Sequence, residues 1–217
     1  MLKRIALPIL SIFLFTACSL KMPEFSMPSF LSFSDDKDAI ALEKANVCQK
    51  IEEQDNKLFC YRKILNENSY AQLRMGTYSV EKKDYKKAVE YLNQSITNEN
   101  AYANLALAFL YYKGDGVEKD IDKAFKLLND SSDVDPNAAY QLSRFYLQGI
   151  NTKVDVDKGI DLLEFAASKN MLTAQKMLVN IYKDGLFSQD KDTKKVKYWE
   201  DMIKKDIKDT NFEIYKL

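Results

Sequence analysis

The chain has 217 residues, 46% hydrophobic and 12% aromatic, enough to bury one ordinary domain core and too apolar for a disordered chain. Lysine plus arginine and aspartate plus glutamate both number 32, a balance that argues against a nucleic-acid partner, whose phosphates call for a basic stripe. Histidine is absent, which removes Ser/His/Asp and Cys/His catalysis and histidine-ligated zinc.

The first predicted element is an export signal over residues 1–17. Lys3 and Arg4 precede an apolar run from Ile5 to Ala17, and these thirteen residues are too few to cross a hydrocarbon core of ~30 Å. Phe15-Thr16-Ala17-Cys18 follows and resembles a bacterial lipobox, with Phe15 in place of the usual leucine. The resemblance implies cleavage before Cys18 and lipidation of its thiol, with more acyl chain than stable anchoring requires. Ser19 stands where an acidic residue would imply inner-membrane retention, so the resemblance implies the outer membrane, facing the periplasm. An ordinary signal peptide with an unmodified cysteine is the alternative. No later apolar stretch approaches 18 residues, so no transmembrane span is expected.

Residues 18–38 read as a tether. Met22-Pro23-Glu24-Phe25-Ser26 is echoed by Met27-Pro28-Ser29-Phe30, its two prolines oppose a helix, and strand alternation is lacking. Fully extended it would reach at most ~70 Å. It is either a plain spacer or one whose Phe25, Phe30 and Phe33 dock on lipid or a partner.

Residues 39–217 read as one repeat domain. The first helix pair, 39–67, holds Cys48 and Cys60, whose midpoint falls in the turn marked by Glu52 to Asn56. Antiparallel helices would bring the two thiols level, and an oxidising periplasm would favour a disulfide. Two small buried thiols, or a metal site, are the alternatives. Pairs at 69–97, 100–131, 136–168 and 171–205 follow, and a tail after 207 is expected to cap the stack.

The later pairs repeat one another. Ala103, Leu107, Tyr111, Gly114, Asp120, Lys123 and Leu128 recur 35 residues on as Ala138, Leu142, Tyr146, Gly149, Asp155, Lys158 and Leu163. Ala174, Leu178, Tyr182, Gly185, Lys195 and Trp199 continue the series about 36 residues further. With Tyr111-Tyr112-Lys113-Gly114-Asp115-Gly116-Val117 at its turn, the 100–131 unit resembles the Sel-one-like repeat family; later units are degenerate, and Ser69–Asn98 looks more like a tetratricopeptide unit. The physical reading agrees. Small residues sit where partner helices cross, Gly114 and Gly116 permit positive φ at the turn, and Asp120 and Asp135 are helix-start residues. The expected fold is an all-α, right-handed α-solenoid of about five antiparallel helix pairs.

Motifs for chemistry are weak. Asp130, Asp133, Asp135 and Asn137 hint at a calcium loop but lack its glycine and terminal glutamate, and helix capping explains them better. Asp155 and Asp157 suit a helix N-terminus, and the lysines around Lys195 a solvated face. No catalytic residue, metal or cofactor is expected. The first helix of each pair lines the concave side in tetratricopeptide-like stacks. With Gly76, Ala108, Ser143 and Val179 at the close-packing position, the side chains pointing into that groove are Tyr70, Leu73, Tyr102, Leu105, Phe109, Tyr112, Tyr140, Arg144 and Asn180. These are aromatic and arginine anchors for a protein partner, or else residues that complete the core. The expected function is a noncatalytic, membrane-tethered adaptor for periplasmic or outer-membrane proteins in an envelope or export assembly. An enzyme acting on cell wall or polysaccharide, or its regulator, is the alternative.

Overall fold

The computed structural model describes residues 33–205 and 207–217. Cys18, the signal segment and the tether up to residue 32 lie outside the described residues. Among those described there are ten α-helices, two single 3-10 turns and no strand. The helices are α1 (Phe33–Gln49), α2 (Gln54–Ile64), α3 (Ser69–Glu81), α4 (Tyr85–Thr97), α5 (Ala103–Lys113), α6 (Ile121–Asn129), α7 (Pro136–Gln148), α8 (Val156–Ser168), α9 (Leu172–Asp184) and α10 (Thr193–Lys204). They pack as five successive pairs, and the second helix of each pair also packs on the first helix of the next. This is the expected α-solenoid, in which no pair could bury its apolar face alone.

The spine of the stack is aliphatic. Leu73, Leu92 and Leu107 fill one end, Leu128 and Leu142 the middle, and Leu163, Leu178 and Trp199 the other end, all buried. Small residues let the helices approach. A Cβ added at Gly76 would lie 2.8 Å from the Leu92 side chain, and one at Gly159 would lie 2.6 Å from Leu147 Cγ. Either would force the pair apart.

One device recurs in three pairs and explains the repeated residue types. Asp120, Asp155 and Asp192 each cap a second helix, accepting from the main-chain N–H of Lys123, Lys158 and Lys195 respectively. Each Asp main-chain N–H donates in turn to the carbonyl of the tyrosine in the helix before, Tyr111, Tyr146 or Tyr182, at 2.9–3.1 Å. The lysine ammonium then lies over that tyrosine ring, 4.1, 5.4 and 4.3 Å from its centroid. Tyr, Asp and Lys therefore form a clip closing each pair. The first helix of each ends on a left-handed glycine, Gly114, Gly149 or Gly185. Where the 149–154 turn lacks the second glycine, Asn151 takes positive φ instead, as asparagine tolerates.

Two expectations need correction. The first helix begins at Phe33 and not at 39, because no proline or glycine follows Pro28 before Gly76 to stop it. The tail after 207 does not cap the end of the stack. It runs back along the first helices of the stack, as described below. The disulfide is present: Cys48 on α1 and Cys60 on α2 are joined, with Cα atoms 5.5 Å apart.

Candidate functional site

The first helices α1, α3, α5, α7 and α9 share one face, and the sequence places its partner-binding residues there. Leu73 and Leu105 point into the spine and are buried, so neither is a surface anchor. A register error of one position separates spine from face on a helix, and these two fall on the spine side. Tyr70 is also buried; its hydroxyl donates to Asp38 Oδ2 on α1 at 2.9 Å, and burial above all, with that bond, raises its pKa. Tyr140 is half-buried against the α7–α9 core.

The remaining residues do reach the surface. Phe109 and Tyr112 on α5 are each 39% exposed, and Arg144 and Asn180 are exposed. Phe109, Tyr112, Gln141, Arg144, Phe145 and Ile150 line the mouth of a small pocket of ≈ 90 Å³ that reaches Ala124 and Leu128 on α6. Tyr112 packs on Phe145 at 5.8 Å between centroids, and Arg144 Nη1 donates to Gln141 Oε1 at 3.1 Å. This is an apolar cleft with one guanidinium at its rim, the composition of a protein-interaction anchor.

Tyr102 is covered, and the chain itself covers it. From Asp209, which accepts from Leu172 N–H, the C-terminal segment crosses the starts of α9, α7 and α5 and reaches α3 and α1. The Tyr215 ring meets Tyr102 edge-on at 6.4 Å, and its hydroxyl donates to Asp135 Oδ2. The receiving side chains read the main chain of this segment. Asn137 Nδ2 donates to the Asn211 carbonyl (3.0 Å), Arg74 Nε to that of Ile214 (3.1 Å) and Thr77 Oγ1 to that of Tyr215 (2.7 Å). Gln49 Nε2 donates to the carbonyls of Glu213 (3.3 Å) and Lys216 (3.2 Å). Sequence reasoning missed these donors. The legible signal was Arg74, the single charged residue between Ser69 and Val80.

Asp135, which the sequence reading weighed for calcium, is committed to capping and to the tail: Oδ1 accepts from the N–H and Nδ2 of Asn137, Oδ2 from Tyr215. Among the described residues no cluster of acids and cysteines could hold a metal ion. Burial pushes the Asp135 carboxyl above its ordinary value, against the bonds from Tyr215 and Asn137 that favour the anion. The folded state then binds more protons than the unfolded one between the two pKa values, so this group's contribution to stability falls as pH rises through that window. Acidification from pH 7 towards 4 is expected to improve the stability of the wild type relative to Asp135→Asn. Urea midpoints of both proteins across that range check this, and parallel curves would contradict it.

A Sel1 repeat family model matches residues 69–100, 99–129 and 136–171. Residues 69–129 and 136–171 are Sel1 repeats. The unit over residues 69–100, whose turn looked tetratricopeptide-like, is matched with the others, and the Tyr-Asp-Lys clip extends the pattern to α9 and α10 beyond the matched residues. The fold is similar to the crystal structure of a Sel1 repeat protein from Oxalobacter formigenes, with a TM-score of 0.67 and 22% identity, over 78% of this chain and 71% of that one. A protective antigen of uropathogenic Escherichia coli displaying an SLR fold gives a TM-score of 0.61 and 18% identity, over 84% of this chain and 41% of its own. In sequence the chain is 31% identical over 102 residues to the alginate biosynthesis protein AlgK of Pseudomonas syringae pv. tomato. That match takes in 47% of this chain and 22% of the relative's length, so the chain spans about a fifth of it. Sel1 repeats are protein-interaction modules, and the exposed aromatic cleft on their first-helix face suits that use.

Proposed function

We propose that the protein is a lipid-anchored scaffold of the bacterial envelope, held to the outer membrane through Cys18 and facing the periplasm, whose first-helix face grips a segment of a partner protein in an export or envelope assembly. The observation that carries this reading is the cleft between α5 and α7, where exposed Phe109, Tyr112 and Arg144 surround a small apolar pocket. The export signal, the lipobox-like Phe15-Thr16-Ala17-Cys18 and the Cys48–Cys60 disulfide support an oxidising compartment outside the cytoplasm. Similarity to an alginate biosynthesis protein favours a partner in polysaccharide biosynthesis. No helix of the described residues is long and apolar enough to cross a membrane. In this reading acyl chains on Cys18 supply the anchorage.

Two variants separate the parts of this reading. Cys18→Ser is expected to lose acyl labelling and leave the outer-membrane fraction, and unchanged fractionation without acyl label on the wild type would contradict anchoring. Phe109→Ala combined with Arg144→Ala is expected to reduce partner recovery from crosslinked envelopes by ~30-fold or more while the protein stays folded, each anchor contributing ~1–2 kcal/mol. Undiminished recovery would remove the cleft from the account.

A further inference from the structure

The C-terminal segment is bound as a peptide ligand would be. Its contacts are side-chain donors on main-chain carbonyls, which read an extended chain whatever its sequence, plus a tyrosine hydroxyl on Asp135 beside the Tyr102 ring. The segment lies at the edge of the core, against which Ile214, Tyr215 and Leu217 pack only partly buried. Phe212 is 51% exposed, residues 213–215 are half-buried, and the only regular structure is the 3-10 turn Glu213–Tyr215. With the segment in place, Arg74, Asp135 and Asn137 of the receiving surface are almost wholly inaccessible. The fit is also incomplete: Asn137 Oδ1 is buried without a donor while its Nδ2 holds the Asn211 carbonyl. A chain presenting an N–H at that oxygen would satisfy an acceptor that the tail leaves unpaired.

We propose that the face across α7, α5 and α3 is a channel for an extended, tyrosine-bearing segment of a partner protein, and that residues 207–217 occupy it in the free chain as a stand-in that the partner segment displaces. The tyrosine of the incoming segment reaches Asp135 beside Tyr102, and its carbonyls take the donors of Asn137, Arg74, Thr77 and Gln49. Self-occupancy keeps these donors paired when no partner is bound. It also sets a threshold, because a partner must outcompete a ligand attached to the same chain and present at high effective concentration. This inference rests on the first-helix face being the interaction surface.

The test uses full-length protein and a fluorescent peptide with the sequence of residues 209–217. Fluorescence anisotropy is expected to show weak binding to the wild type and ~10-fold tighter binding to Tyr215→Phe, whose own tail has lost the bond to Asp135. A peptide with phenylalanine in place of its tyrosine is expected to bind the same variant ~10-fold more weakly. Hydrogen exchange of the wild type supplies an independent readout. Amides of 207–217 should exchange through an opening separate from that of the helices, and faster when excess peptide is added. Equal affinity for wild type and variant, no binding to either, or tail amides that exchange only with global unfolding would overturn the proposal. Loss of partner recovery or of membrane anchoring in cells leaves these outcomes unaffected, so the two readings fail separately.

Discussion

Replacing Arg74 with alanine is expected to cost about 3–5 kcal/mol of folding stability. The side chain is among the most deeply buried in the protein, and its three bonds go to groups without charge: the Tyr61 hydroxyl at 3.1 Å, Asn46 Oδ1 at 2.7 Å and the Ile214 carbonyl at 3.1 Å. Burial raises the Tyr61 hydroxyl above its ordinary range while the guanidinium pulls it down, and burial prevails, so the phenol stays protonated and neutral. One residue thus ties α1, α2, α3 and the C-terminal segment together. Truncation leaves the buried Tyr61 hydroxyl and two part-buried acceptors without their donor, at about 1–3 kcal/mol for the buried one and less for the others, and opens a cavity besides. Arg74→Lys should recover little, since one ammonium lacks the planar fork that reaches three directions. Urea unfolding of both variants checks this, and a loss below about 1 kcal/mol would show that the hub is dispensable.

The second large effect concerns Cys48 and Cys60. Their bond closes a loop of 12 residues and on the loop-entropy model contributes about 3 kcal/mol. It matters most where it stands, because among the described residues the α1/α2 pair has a stack neighbour on one side only, and it lies outside the three matched repeats. Reduction, or Cys48→Ala with Cys60→Ala, should lower the urea midpoint and raise hydrogen exchange first in residues 33–64. Uniform exchange across the stack, or an unchanged midpoint, would mean that the pair holds without its crosslink.

Much of the stack was legible in the sequence because its signals are local and periodic. Gly114, Gly149 and Gly185 recur at the spacing of a helix pair, and each ends a first helix in the left-handed region. Asp120 and Asp135 read as helix starts and are caps. Cys48 and Cys60 are equidistant from a turn, and antiparallel geometry does the rest. The site was less legible for two physical reasons. Along a first helix successive positions differ by about 100° in direction, so an error of one residue moves a side chain from the face to the spine, which is what happened with Leu73 and Leu105. The path of the tail depends on bonds such as Gln49 to Glu213 and Arg74 to Ile214, which join residues 164 and 140 positions apart. They also end on main-chain carbonyls, which every residue possesses and no motif advertises.

On the proposed function, the first-helix face is where the protein meets its partner. A photo-crosslinking amino acid placed at Phe109 in the full-length protein, and separately at Tyr198, tests it in living cells. Both side chains are exposed, the first on α5 beside the cleft and the second on α10, the outer helix of the last pair. Discrete, reproducible protein adducts are expected from position 109 and only background from position 198. Adducts confined to position 198, or equal at both, would contradict it.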